Sequence, residues 1–371
     1  MVPEKKMMNR RAFMQGFLRG AAVMCTAAAL FIGVGLNNEA AAAEKKSFRM
    51  AWSIYAGWMP WPYAQQSGIL KKWADKYGIT IDLKQMDYIE SINQFTAGQF
   101  DACLMTNMDA LTIPAAGGVD TSIVIVGDYS NGNDGIVLKG KKSLKDIKGQ
   151  KVNLVELSVS HYMLARALAT AGMSERDVKV VNTSDADIVA AWKTAGVTAA
   201  VPWNPQLSEM KKAPGTYEVF DSSKIPGEIL DTLAIRSDVL KANPKLAKAL
   251  VGAWFETLKV MSANDAKAKA AKEMMAKLSG TDLPGYESQL KTTKLFYTPA
   301  ETLAFTAAPA LMTSTDLVRK FSFDHGLLGQ GAPNVNAIGI QFADGKVLGN
   351  PKNVKMRFDA SYVKLAADGK L

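Results

Sequence analysis

Only two cysteines and two histidines occur in 371 residues, which leaves little room for thiol, imidazole or metal chemistry. Cys25 lies in an N-terminal stretch that reads as removable, so Cys103 would stand alone and no intrachain disulfide could form. The segment "FDACLM" around Cys103 is apolar and strand-like, the setting of a small buried side chain rather than a reactive thiol. His161 sits beside Tyr162 at the start of a helical pattern, where a packed or capping role is expected; the other histidine is His325. There is no G-x-S-x-G elbow and no H-E-x-x-H pair, and one cysteine cannot build a thiolate metal cluster. The stretch "GIVLKGKKS" (135–143) approaches a phosphate loop but has Lys142 where Ser or Thr belongs, and Ile136, Val137 and Leu138 read as strand. No catalytic constellation, metal or cofactor is expected.

Charge of one sign is also scarce. The chain has 44 basic and 35 acidic residues; residues 1–43 hold five and two of these, leaving 39 against 33. Lysines alternate with alanines and acids, as in "ANDAKAKAAKEMMAKL", which describes solvated helix faces and not a nucleic-acid surface. The leader differs from the rest. Charged residues including Arg10 and Arg11 precede an apolar run from about Gly20 to Leu36 and small residues suited to cleavage after Ala43. "NRRAFM" resembles the twin-arginine export motif, so the mature chain is expected in the periplasm, starting near Glu44.

From Ser47 the sequence alternates short apolar strands with amphipathic helices. Strands are expected at 48–54, 79–85, 102–105, 122–128, 135–138, 151–156, 178–182 and 199–201, and helices at 61–76, 88–97, 109–117, 143–147, 160–171 and 186–195. This order predicts an α/β fold with mostly parallel sheets and ligand groups at the carboxyl ends of strands. Turn-rich breaks at 128–135 and 225–231, after which the chain reads as mainly helical, predict two lobes joined by two crossings. The expected division is residues 44–130 with 232–371 in one lobe and 131–231 in the other.

The pieces "QFTAGQFDACLMTNMDALTIPAAG", "SLKDIKGQKVNLVELSVSHYMLARALATAGM" and "DADIVAAWKTAGVTAAVPWNP" resemble periplasmic substrate-binding proteins of ABC importers, in the branch with nitrate, sulfonate and taurine binders. The aromatic loop and "ELSVSHYML" resemble, more narrowly, the group associated with urea carboxylase, with urea or guanidine as ligand. The resemblance implies a bilobed, type II binding protein that closes on a small molecule and delivers it to a membrane permease with its own ATPase subunit. A monomer is expected. The alternatives are an anion carrier and, in another class, an enzyme resembling thiamine-pyrimidine synthesis proteins, whose histidine-rich site two histidines do not supply.

The candidate ligand residues are an aromatic loop and a set of strand ends. Tyr55, Trp58 and Trp61 fall between a strand and a helix, interrupted by Pro60 and Pro62. Thr106, Asn107 and Asp109 follow one strand, Asp128 another, Glu156 a third, with Ser158 and Ser160 beyond it; Trp203 is expected to face the aromatic loop from the other lobe. Where nitrate and sulfonate binders continue into a Gly-Ser turn that holds an anion, this chain has Glu156, Leu157 and Ser158. A carboxylate there, with aromatic faces opposite, predicts a cation.

Overall fold

Residues 45–329 and 331–371 are described by a computed structural model. The expected leader, with Arg10, Arg11, Cys25 and the cleavage point after Ala43, lies outside the described residues.

Strands β1 (Ser47–Trp52), β2 (Thr80–Gln85), β3 (Ala102–Thr106) and β4 (Thr121–Ser130) form one sheet; β5 (Gly135–Lys139), β6 (Lys151–Leu154), β7 (Lys179–Asn182), β8 (Ala199–Ala200) and β9 (Thr216–Asp221) form a second. The chain then returns through β10 (Leu230–Arg236) and completes the first sheet with β11 (Thr293–Leu295), β12 (Gly339–Gln341), β13 (Val347–Leu348) and β14 (Val354–Phe358). The first sheet runs β13-β12-β14-β4-β10-β3-β1-β2, with β11 on β4; the second runs β7-β6-β8-β5-β9. Every residue of β3 is buried, the near-continuous apolar pattern of a strand covered on both faces.

Both sheets are mixed. β1 pairs in parallel with β2 and β3, and β6 with β7 and β8, as the βα rhythm predicts. β10 lies antiparallel between β3 and β4, and β5 antiparallel between β8 and β9. β5 was expected at 135–138; β10 is the one the rhythm does not show, because it is not entered through a crossover helix. The helix expected at 61–76 divides into α1 (Pro60–Gln66) and α2 (Ile69–Lys76), broken at Gly68, whose φ of +80° favours glycine. The helix at 88–97 is α3 (Tyr88–Thr96), the start of the one at 109–117 is α4 (Asn107–Ala110), and the one at 160–171 is α5 (Val159–Thr170).

Each sheet has its own core. Trp61 of α1 stacks on Trp254 at 5.2 Å beneath the first sheet. Ile136, Leu138, Val152, Leu154 and the inner face of α5 fill the second, joined by Val318 and Phe321 of the helix Pro309–Asp324. The two crossings lie side by side. Ser130 Oγ meets Ser222 Oγ at 2.6 Å, the Gly132 amide donates to Ser222 Oγ (2.7 Å), and the Ser222 amide donates to Asp134 O (2.9 Å). The result is a bilobed α/β fold with a two-crossing hinge. Among the described residues no helix is long and apolar enough to span a membrane.

Candidate ligand-binding site

The lobes meet around a cavity of about 20 Å³ lined by Tyr55, Trp58, Tyr88, Thr106, Asp134 and Trp203, with Val159, Ile229 and Asp231 completing the wall.

Four rings frame it in sequence. Tyr55 meets Trp58 edge to face at 5.2 Å, Trp58 meets Tyr88 at 5.8 Å, and Tyr88 meets Trp203 edge to face at 5.6 Å. Trp203 comes from the second lobe, and its indole N–H donates to Ile54 O of the first (3.3 Å). The Ala56 amide likewise donates to Asn204 O (3.3 Å), so the lobes are in contact at the rim of the aromatic frame.

Around these rings lie four buried aspartates. Asp109, at the start of α4, accepts from Tyr88 Oη (2.6 Å) and Thr106 Oγ1 (2.8 Å), while its Oδ1 has no protein donor. Thr106 also caps α4 through the Asp109 amide (3.3 Å). Asp128 on β4 accepts from Tyr55 Oη (3.0 Å) and is opposite Asp231 on β10, in register. Oδ2 of each has no protein donor, and neither has the indole N–H of Trp58 a protein acceptor. Asp134 enters from the first crossing. Among the described residues that line the cavity there is no Lys, Arg or His.

Burial drives the titration of all four. It pushes Asp109 up to about 6, against the pull of Tyr88, Thr106 and the Val159 amide at the start of α5. It pushes Asp134 up to about 6, with the charge of Asp109 adding to the rise. Asp128 and Asp231 both lie well above the usual carboxylate range, first through burial; the charge of Asp134 raises both, and that of Asp128 raises Asp231. Burial also raises the Tyr55 and Tyr88 phenols well above their ordinary value, which keeps both neutral as donors.

Of the residues singled out from sequence, Tyr55, Trp58, Thr106 and Trp203 line the cavity, and Asp109 and Asp128 stand directly behind it. Ser160 is buried at the start of α5 with its hydroxyl unpartnered. Four are placed elsewhere. Trp61 is core, stacked on Trp254. Asn107 holds the start of β10, donating to Glu228 O (3.1 Å) and accepting from the Leu230 amide (3.1 Å). Ser158 caps α5 and donates to Val155 O (2.7 Å). Glu156, on which the cation argument from sequence rests, is exposed. β6 ends two residues earlier, at Leu154, and the turn carries Glu156 outward, its amide tied to Asn182 Oδ1 (3.0 Å). The carboxylates that line the cavity are Asp134 and Asp231, with Asp109 and Asp128 behind its rings. Tyr88, Asp134 and Asp231 were missed; an acid inside the apolar run "EILDTLAI" is the one signal that points to Asp231.

Among the described residues one cluster has the donor set for a metal, His161, Glu175 and His325. The Leu157 amide donates to His161 Nδ1 (3.1 Å), which puts the proton of the neutral imidazole on Nε2, 2.5 Å from Glu175. A protonated Nε2 cannot ligate a metal. His325 donates from Nδ1 to Phe321 O (2.8 Å), and its Nε2 lies 2.8 Å from the other Glu175 oxygen. Glu175 meets both rings and so links α5, its own turn and the end of the helix Pro309–Asp324.

Two sheets, a double crossing and a site in the cleft define the periplasmic-binding-protein fold. The alkanesulfonate-binding protein SsuA from Xanthomonas axonopodis pv. citri, solved bound to MOPS, shares it with a TM-score of 0.64 at 16% identity, covering 77% of this chain and 96% of that one. The periplasmic nitrate-binding protein NrtA from Synechocystis PCC 6803 shares it with a TM-score of 0.55 at 14% identity, covering 87% and 99%. The chain belongs to the NMT1-like family, whose model matches residues 41–276. It is 25% identical over 223 residues to the taurine-binding periplasmic protein of Escherichia coli (strain K12), 57% of this chain and 69% of that one. It is also 27% identical over 188 residues to a binding protein of Brucella abortus (strain 2308), a match that spans 50% of this chain and only 57% of that relative's length.

Proposed function

We propose that this protein is the periplasmic solute-binding component of an ABC importer and that it captures guanidinium or a closely related small planar nitrogen compound. The lobes, 44–130 with 232–371 and 131–231, close on the ligand and present it to a membrane permease. One observation carries the reading: four buried aspartates and four aromatic rings surround a cavity whose lining supplies no cation. Aromatic faces attract a flat cation, and the unpartnered oxygens of Asp128 and Asp231 call for N–H donors. A quaternary ammonium offers charge without such donors. Urea offers the donors without the charge.

Relatives that carry taurine, alkanesulfonates or nitrate favour an anion as the second reading. The buried carboxylates speak against it, because a sulfonate or nitrate would add negative charge in a place of low dielectric. Thermal unfolding of the mature protein separates the two. Guanidinium at a thousand times its dissociation constant should stabilise by about 4 kcal/mol, with urea at least a hundredfold weaker at pH 8. Stabilisation by taurine or nitrate with none by guanidinium would reverse the assignment.

A further inference from the structure

We propose that the ligand cation enters this site in exchange for a proton: without ligand, Asp128 and Asp231 hold one proton between them, and an N–H-bearing monocation such as guanidinium expels it. The inference rests on the ligand reading above and concerns how that site is regulated.

The two aspartates are register partners on adjacent strands, β4 and β10, and each is almost wholly buried. They occupy opposite positions of the antiparallel pair, and Oδ2 of each has no protein donor. The groups that face the pair are Tyr55 from the loop after β1, Asp134 from the first crossing, and Tyr286 and Tyr297 from the helical C-terminal part. None of these is a cation, and Asp134 adds negative charge. Two carboxyls so placed cannot both ionise in a dry site, so one proton is retained between them. Burial raises both groups well above the usual carboxylate range, which favours the protonated form of the pair.

Guanidinium changes the balance, because its paired N–H groups can satisfy both carboxylates at once. One positive charge enters and one proton leaves to bulk water, so the net charge of the site is conserved. Urea brings no charge and therefore leaves the proton in place. Its affinity should not rise with pH, whereas that of guanidinium should rise about 10-fold per pH unit on the acid side of the pair's titration and level off beyond it. Selectivity for guanidinium over urea is thus a function of pH.

The test is calorimetry of guanidinium binding at pH 6 in buffers of different ionisation enthalpy, joined to infrared spectra of the protonated-carboxyl carbonyl stretch. The expected result is release of about one proton per guanidinium and loss of the carboxyl signal on binding. Asp231→Asn should abolish both the release and the pH dependence. Guanidinium binding with no proton release, or with the carboxyl signal intact, would overturn the exchange while upholding the ligand reading. No binding of guanidinium at any pH from 5 to 9 would overturn the ligand reading, and the exchange with it.

Discussion

Tyr55 donates to Asp128 across 3.0 Å, over a glycine, Gly57, that has no room for a side chain: a Cβ there would lie 2.6 Å from Asp128 Oδ2 and 2.6 Å from the Tyr55 ring. The aromatic loop and the carboxylate pair are therefore one unit. Tyr55→Phe removes a hydrogen bond to the charged form of Asp128 and should weaken guanidinium binding about 10-fold at pH 8, equivalent to about 1.4 kcal/mol. Gly57→Ala should weaken it at least as much by displacing both groups. Isothermal titration of the two variants measures this, and unchanged affinity in Gly57→Ala would mean that Asp128 is not part of the site.

Trp58 and Trp61 are three residues apart and should behave differently. Trp61→Ala leaves a cavity against Trp254 and should cost about 3–5 kcal/mol in denaturant unfolding, with the folded fraction still binding ligand. Trp58→Ala removes a wall of the cavity and should cost affinity at least 10-fold.

Glu156→Gln should alter guanidinium affinity less than twofold, because the side chain is exposed outside the cavity. A tenfold loss would place Glu156 in the ligand's path and return the argument to the turn before α5.

The ligand-free protein should lose stability as pH rises. Asp109 and Asp134 are pushed up to about 6, and Asp128 and Asp231 also lie above their unfolded values. The folded state then binds more protons than the unfolded one, so this contribution is complete below about pH 4 and is lost as pH climbs through 6 and beyond. Thermal melts from pH 5 to 8 should show Tm falling, and saturating guanidinium should flatten the slope. A Tm that rises throughout would contradict the protonated cluster.

Glu175 contributes with the opposite sign. Burial pushes its carboxyl up, but hydrogen bonds and charge from His161 and His325 outweigh it and leave the group below its ordinary value. The stability it confers is present above about pH 4.5 and is lost on acidification. Glu175→Gln should lower Tm at pH 6 while leaving guanidinium affinity in the folded protein within about twofold.

The alternation of strand and helix was legible because it repeats: all eight strands expected between 48 and 201 are present with shifted ends. β9 and β10 were not. In β9 every residue is only partly buried, and β10 carries Asp231 within its apolar run, so neither shows clean alternation. The same asymmetry governs the site. Residues that follow a strand locally, such as Thr106 and Asp109, could be placed by counting from its end. Asp231 joins the site through antiparallel pairing with Asp128, 103 positions away, and Asp134 through a crossing; neither pairing leaves a local pattern. The cation argument drawn from Glu156 rests on a side chain that the structure leaves exposed outside the cavity, since its strand ends two residues early.

The paired hydroxyls of Ser130 and Ser222 have a mechanical consequence. Because each crossing is bonded to the other, the connection between the lobes is a two-ply ribbon and not two independent tethers. Such a ribbon resists shear in its own plane more than twist, so a shift in one crossing is felt at once in the other.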